Sequence, residues 1–134
     1  MAVQPFDWTG YYTLADELAK RADEASLRSA MSRAYYYIYQ LALERARSNG
    51  FTTLAGEGLH RQLWRNFSDS PEPDCRKLAE IAKRLKDKRE RADYQNVYPR
   101  INDDVSGMLE DAQTFATRLR ALNARFPDPA HVRQ

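Results

Sequence analysis

Apolar residues recur every three or four positions along most of the chain, and this spacing predicts α-helices. Gly, Pro, Ser and Asp fall between the periodic segments, where they predict turns. Asn49 and Gly50 are expected to end the second helix, because glycine readily closes a helix, and Asp74 is predicted to cap the start of the fourth. Five helices are expected, over about 8–22, 24–48, 57–67, 74–93 and 100–126.

The connections between these segments are short, and β-branched residues are few and scattered, which disfavours sheets. The expected fold class is all-α, an up-and-down bundle of four main helices plus one short helix. A chain of 134 residues is about the size of one domain, so a single helical domain over 1–134 is predicted, with its ordered core at about 7–126. Pro127 and Pro129 end the last helix, and the tail 127–134 is expected to be frayed.

The charges nearly balance, with 21 Lys and Arg against 19 Asp and Glu and a formal net charge of +2. Attraction of the whole molecule to nucleic acid should therefore be weak, although a local basic patch is compatible with this balance. The first residues lack the basic and apolar regions of a signal peptide, and no window reaches the roughly 20 apolar residues of a membrane span. A soluble, cytoplasmic protein without membrane contact is expected.

Residues suited to metal or cofactor chemistry are scarce. The two histidines are His60 and His131, and Glu57 lies three residues before His60 without a second such pair elsewhere. Cys75 lies in a polar stretch with no base beside it, which favours a structural or incidental thiol. The glycines form no phosphate-binding loop. We expect no metal and no cofactor, and a packed, hydrogen-bonded role for His60.

The second helix carries four tyrosines within five residues, Tyr35, Tyr36, Tyr37 and Tyr39. The helical phase places Tyr35 in the core, and the other three cover so much of the circumference that some are expected to leave it. Two interpretations remain open at this point. The outer tyrosines cover neighbouring helices with their hydroxyls at the surface, or they meet a second subunit around Arg33.

The fourth helix has a charged residue, Arg89, on its apolar stripe. An arginine that points toward a core must be paired or must line a groove that holds water. Asp93, Glu44 and Asp104 are the candidate partners. A structural bridge to a carboxylate and an anion-binding arginine are both compatible with this position.

Three blocks of the chain resemble HEPN-domain proteins, which are small helical bundles of bacteria and archaea. They are Ser26-x-Arg28-x-Ala30 followed by S-R-A-Y-Y at 32–36, the pair Leu59 and His60 opening a short helix, and R-x-x-x-D-Y from Arg89 to Tyr94. The resemblance implies a cytoplasmic bundle of four or five helices that often forms a homodimer. It also implies a link to RNA cleavage, to toxin-antitoxin pairs, or to partnership with a small nucleotidyltransferase or an antitoxin.

The chain departs from the family at one motif. Active HEPN ribonucleases carry R-x(4-6)-H, and Arg89 matches the arginine, but Tyr94, Gln95 and Asn96 stand where the histidine should fall. A tyrosine has an ordinary pKa near 10, about three units above that of an efficient base at neutral pH. The departure favours a protein that binds without catalysis.

The predicted function is therefore a non-catalytic HEPN-type binding module that acts on RNA, a nucleotide or a partner protein, in a toxin-antitoxin or defence setting. The alternative is a metal-independent endoribonuclease toxin that uses Arg89 with His60 or Tyr94. The residues predicted to line the binding groove are Arg33, Tyr36, Tyr37, Arg89, Asp93 and Tyr94.

Overall fold

The computed structural model describes residues 3–53, 56 and 58–129. These residues form helices and connecting segments, and no strand occurs among them. The predicted all-α fold class is confirmed. In chain order the helices are α1 (Thr9–Ala19), α2 (Glu24–Ser48), α3 (Leu59–Ser68), α4 (Pro73–Tyr94) and α5 (Ile101–Ala121).

Helix α2 begins and ends where the sequence predicted, because both ends are set by residues next to them. The Asp23 carboxylate accepts a hydrogen bond from the Ser26 backbone N–H at 2.9 Å and caps the first turn. At the other end Asn49 closes the helix, and Gly50 follows with a φ of 96°, a left-handed conformation that favours glycine.

The start of α4 differs from the prediction, since Asp74 is not its cap. The helix begins one residue earlier at Pro73, and the Glu72 side chain accepts a hydrogen bond from the Asp74 backbone N–H at 3.3 Å. Proline is favoured at the first helical position, where its fixed φ suits the helix and no N–H is needed. Helix α3 was predicted from about Glu57, which lies outside the described residues.

Helix α5 ends at Ala121, well before the predicted end at Phe126, and Leu122 is extended. The cause is a residue of another helix. The Arg45 guanidinium of α2 donates to the carbonyl oxygens of Leu119 at 2.7 Å and Phe126 at 3.0 Å. These bonds satisfy carbonyls near the end of the helix and hold the segment after it in place.

The tail predicted to be frayed from Pro127 begins with a packed residue. Pro127 is fully buried, and the Asn49 side-chain N–H donates to its carbonyl oxygen at 3.3 Å. The ordered core therefore extends past Phe126, while the predicted fraying of 130–134 concerns residues outside those described.

Helix α2 lies at the centre of the bundle and packs against each of the other four helices. Nearly half of its length is buried, which explains why apolar and aromatic residues surround so much of its circumference. None of the helices in the described part of the chain is long and apolar enough to cross a membrane. The largest fully buried side chains include Tyr35, Phe67, Phe115, Met31, Ile38 and Leu63.

Asn66 on α3 is fully buried, and within the described chain neither its amide nitrogen nor its amide oxygen has a hydrogen-bond partner. An unsatisfied buried polar group costs about 1–3 kcal/mol. We therefore expect Asn66→Leu to raise the free energy of unfolding, measured with urea, by about 1 kcal/mol. The exposed Asn102→Leu is the matched control and should change it by less than about 0.5 kcal/mol. A destabilised Asn66→Leu would contradict this account.

Candidate functional site

Arg89 lies inward on α4, as the apolar stripe predicted, with 8% of its surface exposed. Its Nη1 donates to Asp93 Oδ2 at 3.1 Å, one helical turn away, and its Nη2 lies 3.8 Å from Glu90 Oε1. Asp93 is thus the partner among the three candidates. Asp104 instead accepts from the hydroxyl of Tyr98 at 2.6 Å, and Glu44 is exposed.

Two aromatic rings of α2 complete the surroundings of Arg89. The centre of its guanidinium lies 5.3 Å from the Tyr35 ring centroid and 5.6 Å from that of Tyr36. The faces of aromatic rings attract cations, so these contacts offset part of the cost of burying the charge. The Arg89 Nε is buried and has no hydrogen-bond partner among the described residues.

Tyr35, Trp64 and His60 form a chain of hydrogen bonds between α2 and α3. The indole Nε1 of Trp64 lies 3.0 Å from the Tyr35 hydroxyl oxygen, which lies 2.6 Å from His60 Nδ1. An indole N–H can only donate, so the tyrosine oxygen accepts from Trp64. In the bond between the Tyr35 hydroxyl and His60 Nδ1, the donor depends on the tautomer of the imidazole. Burial raises the pKa of Tyr35, which keeps its hydroxyl protonated.

The His60 ring is stacked on Tyr39, with centroids 4.1 Å apart and planes 16° from parallel. Burial lowers the pKa of His60, and the positive charges of Arg89 and Lys86 lower it further. The ring is therefore neutral at neutral pH. Nδ1 is engaged by the Tyr35 hydroxyl at 2.6 Å, so this nitrogen is not free to act on a ligand.

The lowered pKa of His60 predicts a loss of stability in acid. Above its ordinary pKa of about 6.5 neither the folded nor the unfolded chain protonates this ring. As the pH falls below that value, the unfolded chain binds the proton first, so the free energy of unfolding should decrease until the folded pKa is also passed. Urea unfolding at about pH 7.5 and about pH 5.5 should show a larger decrease in the wild type than in His60→Gln. His131 is present in both proteins, so its contribution cancels in the comparison. Equal decreases in the free energy of unfolding of the wild type and His60→Gln would contradict the prediction.

The fold brings His60 and Arg89 together, although they are far apart in the sequence. Both side chains contact the same two rings, since the His60 centroid lies 5.6 Å from that of Tyr35 and 5.9 Å from that of Tyr36. Tyr94, the other candidate to act with Arg89, is 77% exposed at the end of α4. Of the two, His60 is therefore the one placed beside the buried arginine.

A groove of about 610 Å³ lies between α1, α2 and α4. Arg33 and Asp93, two of the predicted residues, line it. The Arg33 guanidinium lies 4.7 Å from the ring centroid of Tyr11 and 5.7 Å from that of Tyr36. No ion pair of Arg33 occurs in the described part of the chain, so this half-buried cation has aromatic faces in place of a carboxylate. The rest of the lining includes Leu14, Leu18, Ser29 and Ser32.

The tyrosine cluster is more deeply buried than the sequence predicted. Tyr37 and Tyr39 were expected either to cover neighbouring helices with their hydroxyls at the surface or to meet a second subunit. Like Tyr35 they are buried, and Tyr36 alone of the four is half-buried. Tyr37 does not join the groove, because its ring packs against Tyr12 of α1 with centroids 5.5 Å apart. The four helices around α2 cover more of its circumference than one apolar stripe indicates.

Arg28 is a residue of this region that the sequence did not single out for a role. Its Nη1 donates to the carbonyl oxygens of Ala92 at 2.9 Å and Gln95 at 2.6 Å, and its Nε pairs with Glu24 at 2.9 Å. It therefore caps the end of α4 and fixes the turn that carries Asp93. A basic residue on α2 gives no local signal of a contact with a helix end so distant in the chain.

The described side chains that could support metal or thiol chemistry lie apart from one another. In the residues that it describes, no cluster of three or more His, Cys, Asp or Glu side chains is placed to hold a metal ion. Cys75 is buried and burial raises its thiol pKa, which fits a structural role. His131 lies outside the described residues.

Comparisons with known proteins identify no relative. No protein-family model, curated protein or solved structure matches the chain. The resemblance to HEPN-domain proteins thus depends on the three sequence blocks alone, and the function has to be argued from the site itself.

Proposed function

We propose that the protein is a non-catalytic binding module whose groove between α1, α2 and α4 holds a phosphate group of an RNA or nucleotide ligand. Arg33 carries the proposal. It is a half-buried guanidinium that lines the groove without a carboxylate partner among the described residues. A cation kept in such a place is available to an anion from outside the chain.

The chemistry of the lining suits a phosphate ester. A guanidinium presents a planar fork of N–H donors that matches phosphate oxygens, and the hydroxyls of Ser29 and Ser32 can donate to the same group. The rings of Tyr11 and Tyr36 hold Arg33, so less side-chain freedom is lost on binding. The apolar side of the groove is suited to a base or a ribose ring.

The same geometry supports binding without catalysis. Nδ1 of His60 is engaged by the Tyr35 hydroxyl, and Arg89 is held by Asp93 and two aromatic rings. No other imidazole lies in the described chain, and a tyrosine hydroxyl with a raised pKa is a poor base. The groove can hold an anion. The carboxylate in its lining, Asp93, is bound to Arg89, and no imidazole lines the groove among the described residues.

Binding of two probes tests the proposal. A fluorescently labelled single-stranded RNA and ADP should each be titrated, by anisotropy and by calorimetry, to distinguish the two sources of phosphate. Arg33→Gln should lower the affinity for the probe by about 10-fold or more, since a charge-assisted hydrogen bond is lost. Arg21→Gln removes an equal charge from an exposed turn and should have little effect. Absence of binding by the wild type, or full affinity in Arg33→Gln, would refute the proposal.

A second candidate is a metal-independent endoribonuclease that uses Arg89 with His60. It is favoured by one observation, the placement of both side chains on the rings of Tyr35 and Tyr36. This activity would cleave RNA in EDTA and would be lost in Arg89→Ala and in His60→Gln variants that still fold. Cleavage that persists in a folded Arg89→Ala would exclude it.

The sequence resemblance adds a setting to the proposal. It suggests a cytoplasmic homodimer in a toxin-antitoxin or defence system, with a nucleotidyltransferase or an antitoxin as partner. Size-exclusion chromatography with light scattering checks the first part, because a strict monomer well above micromolar concentration would exclude the homodimer. Co-purification from the native cell identifies the partner.

A further inference from the structure

A second groove lies between α3 and α4 and shares no lining residue with the groove of Arg33. Its volume is about 510 Å³. We propose that this α3–α4 groove docks an acidic peptide segment of a partner protein that carries one apolar anchor residue. The proposal is independent of the phosphate site. The residues that matter for it are Arg61, Trp64, Arg65, Ala79, Lys83 and Lys86.

The α3–α4 groove is lined mainly by positively charged side chains. Cations line both walls, Arg61 and Arg65 from α3 and Lys83 and Lys86 from α4, against one carboxylate, Asp69. The cations are not equally available. Lys86 is paired with Glu90 at 2.7 Å, and Arg65 is also engaged by another group, so neither is counted as available to a ligand.

Two of these cations remain available, one on each wall. Arg61 and Lys83 are exposed, and neither has an ion pair within the described chain. Because they belong to different helices, a segment lying along the groove passes between them. Two carboxylates on such a segment would find one partner on each side, which fixes its orientation as well as its charge.

Part of the lining of the groove is apolar, and it is formed by Trp64 and Ala79. Trp64 lines the groove, but its indole N–H is directed away from it to the Tyr35 hydroxyl at 3.0 Å. The ring therefore presents no free donor there. Ala79 on the opposite wall has a short side chain that leaves space beside the indole. An aromatic ring and a small residue facing each other form a place for one apolar side chain, the usual anchor of a peptide in a groove.

The number of available cations separates a peptide from a nucleic acid. Attraction to a nucleic-acid backbone grows with the number of phosphates that are neutralised, and two unpaired cations supply little of it. Asp69, and Glu90 beside Lys86, repel further phosphates along a strand. The net charge of the whole chain, +2, adds only a weak field. A segment with two or three carboxylates matches this groove better than a strand with one charge per nucleotide.

The test uses the fluorescence of Trp64, with Trp8→Phe as the background so that one indole reports. The probe is a blocked seven-residue peptide with a central leucine flanked by glutamates. We expect this background protein to bind the peptide saturably. The double variant Arg61→Glu, Lys83→Glu should bind it at least about 10-fold more weakly, since both charge pairs become repulsive. The control is the double variant Lys77→Glu, Arg21→Glu, which makes the same change in net charge at exposed positions outside the groove. It should bind the peptide with the affinity of the Trp8→Phe background.

Three results would overturn the proposal. The first is no saturable binding of the peptide up to about 1 mM, the weakest affinity of interest. The second is equal binding of a peptide with glutamine in place of glutamate, which would show that charge plays no part. The third is tighter binding of single-stranded RNA, with a steep dependence on salt, that is lost in the Arg61 and Lys83 variant. That outcome would assign the groove to nucleic acid.

Discussion

Asp93→Ala is expected to lower the free energy of unfolding by about 2 kcal/mol, because it removes the charged hydrogen-bond partner of a buried guanidinium. Arg89 keeps 8% of its surface exposed, and its Nη1 donates to Asp93 Oδ2 at 3.1 Å. Without that carboxylate the nearest acceptor is Glu90 Oε1, 3.8 Å from Nη2 and already bound to Lys86. Urea unfolding monitored by circular dichroism measures the change.

Arg89→Met is the informative comparison. It removes the charge that has to be compensated and keeps an apolar side chain of similar length, so its effect should be within about 1 kcal/mol of zero. The double variant Arg89→Met, Asp93→Ala should then be more stable than Asp93→Ala alone. Asp103→Ala, an exposed acidic control on α5, should change little. If Asp93→Ala were neutral, Glu90 and the two aromatic rings would have to be enough to compensate the charge of Arg89.

This comparison also bears on the two functions proposed for the site. If Arg89 serves only as a bridge to Asp93, methionine can replace it without loss of binding in the groove of Arg33. If Arg89 contacts RNA during cleavage, the same replacement abolishes the cleavage. Stability and RNA cleavage measured on the same Arg89→Met protein therefore separate a positioning residue from one that acts on a substrate.

Local signals explain what the sequence predicted well. The bounds of α2 depend on Asp23, Asn49 and Gly50, which are adjacent to its ends, and a periodic apolar pattern joins them. The inward position of Arg89 followed from the stripe of α4 in the same way. Such features depend on neighbours three or four residues away, so one sequence is enough to predict them.

Contacts between distant residues explain what the sequence did not predict. The end of α5 depends on Arg45, and the turn after α4 depends on Arg28, both of which lie on α2. Likewise, the meeting of His60 with Arg89 requires α3 and α4 to pack on the same side of α2. Every residue carries the same backbone carbonyl acceptor. The sequence therefore contains no pattern that indicates which helix end a given arginine contacts.

Tyr35→Phe is expected to lower the free energy of unfolding by about 2 kcal/mol, since one hydroxyl serves two partners between α2 and α3. Its oxygen accepts from the Trp64 indole at 3.0 Å, and the hydroxyl shares a second hydrogen bond with His60 Nδ1 at 2.6 Å. Phenylalanine keeps the ring on which Arg89 lies but leaves an indole N–H and an imidazole nitrogen without their partner. Both partners are at least half-buried, so water replaces the lost bonds poorly.

Tyr39→Phe is the matched control for this substitution. Tyr39 is also buried and stacked on His60, at 4.1 Å between centroids, but no hydrogen bond of its hydroxyl occurs in the described chain. Its loss should cost less than about 0.5 kcal/mol, so the difference between the two variants isolates the hydrogen-bond chain from the aromatic packing. Equal effects of the two substitutions would show that the rings alone hold α3 on α2. A larger effect at Tyr35 would show that its hydroxyl, which bonds both Trp64 and His60, adds to the packing of the rings in holding α3 on α2.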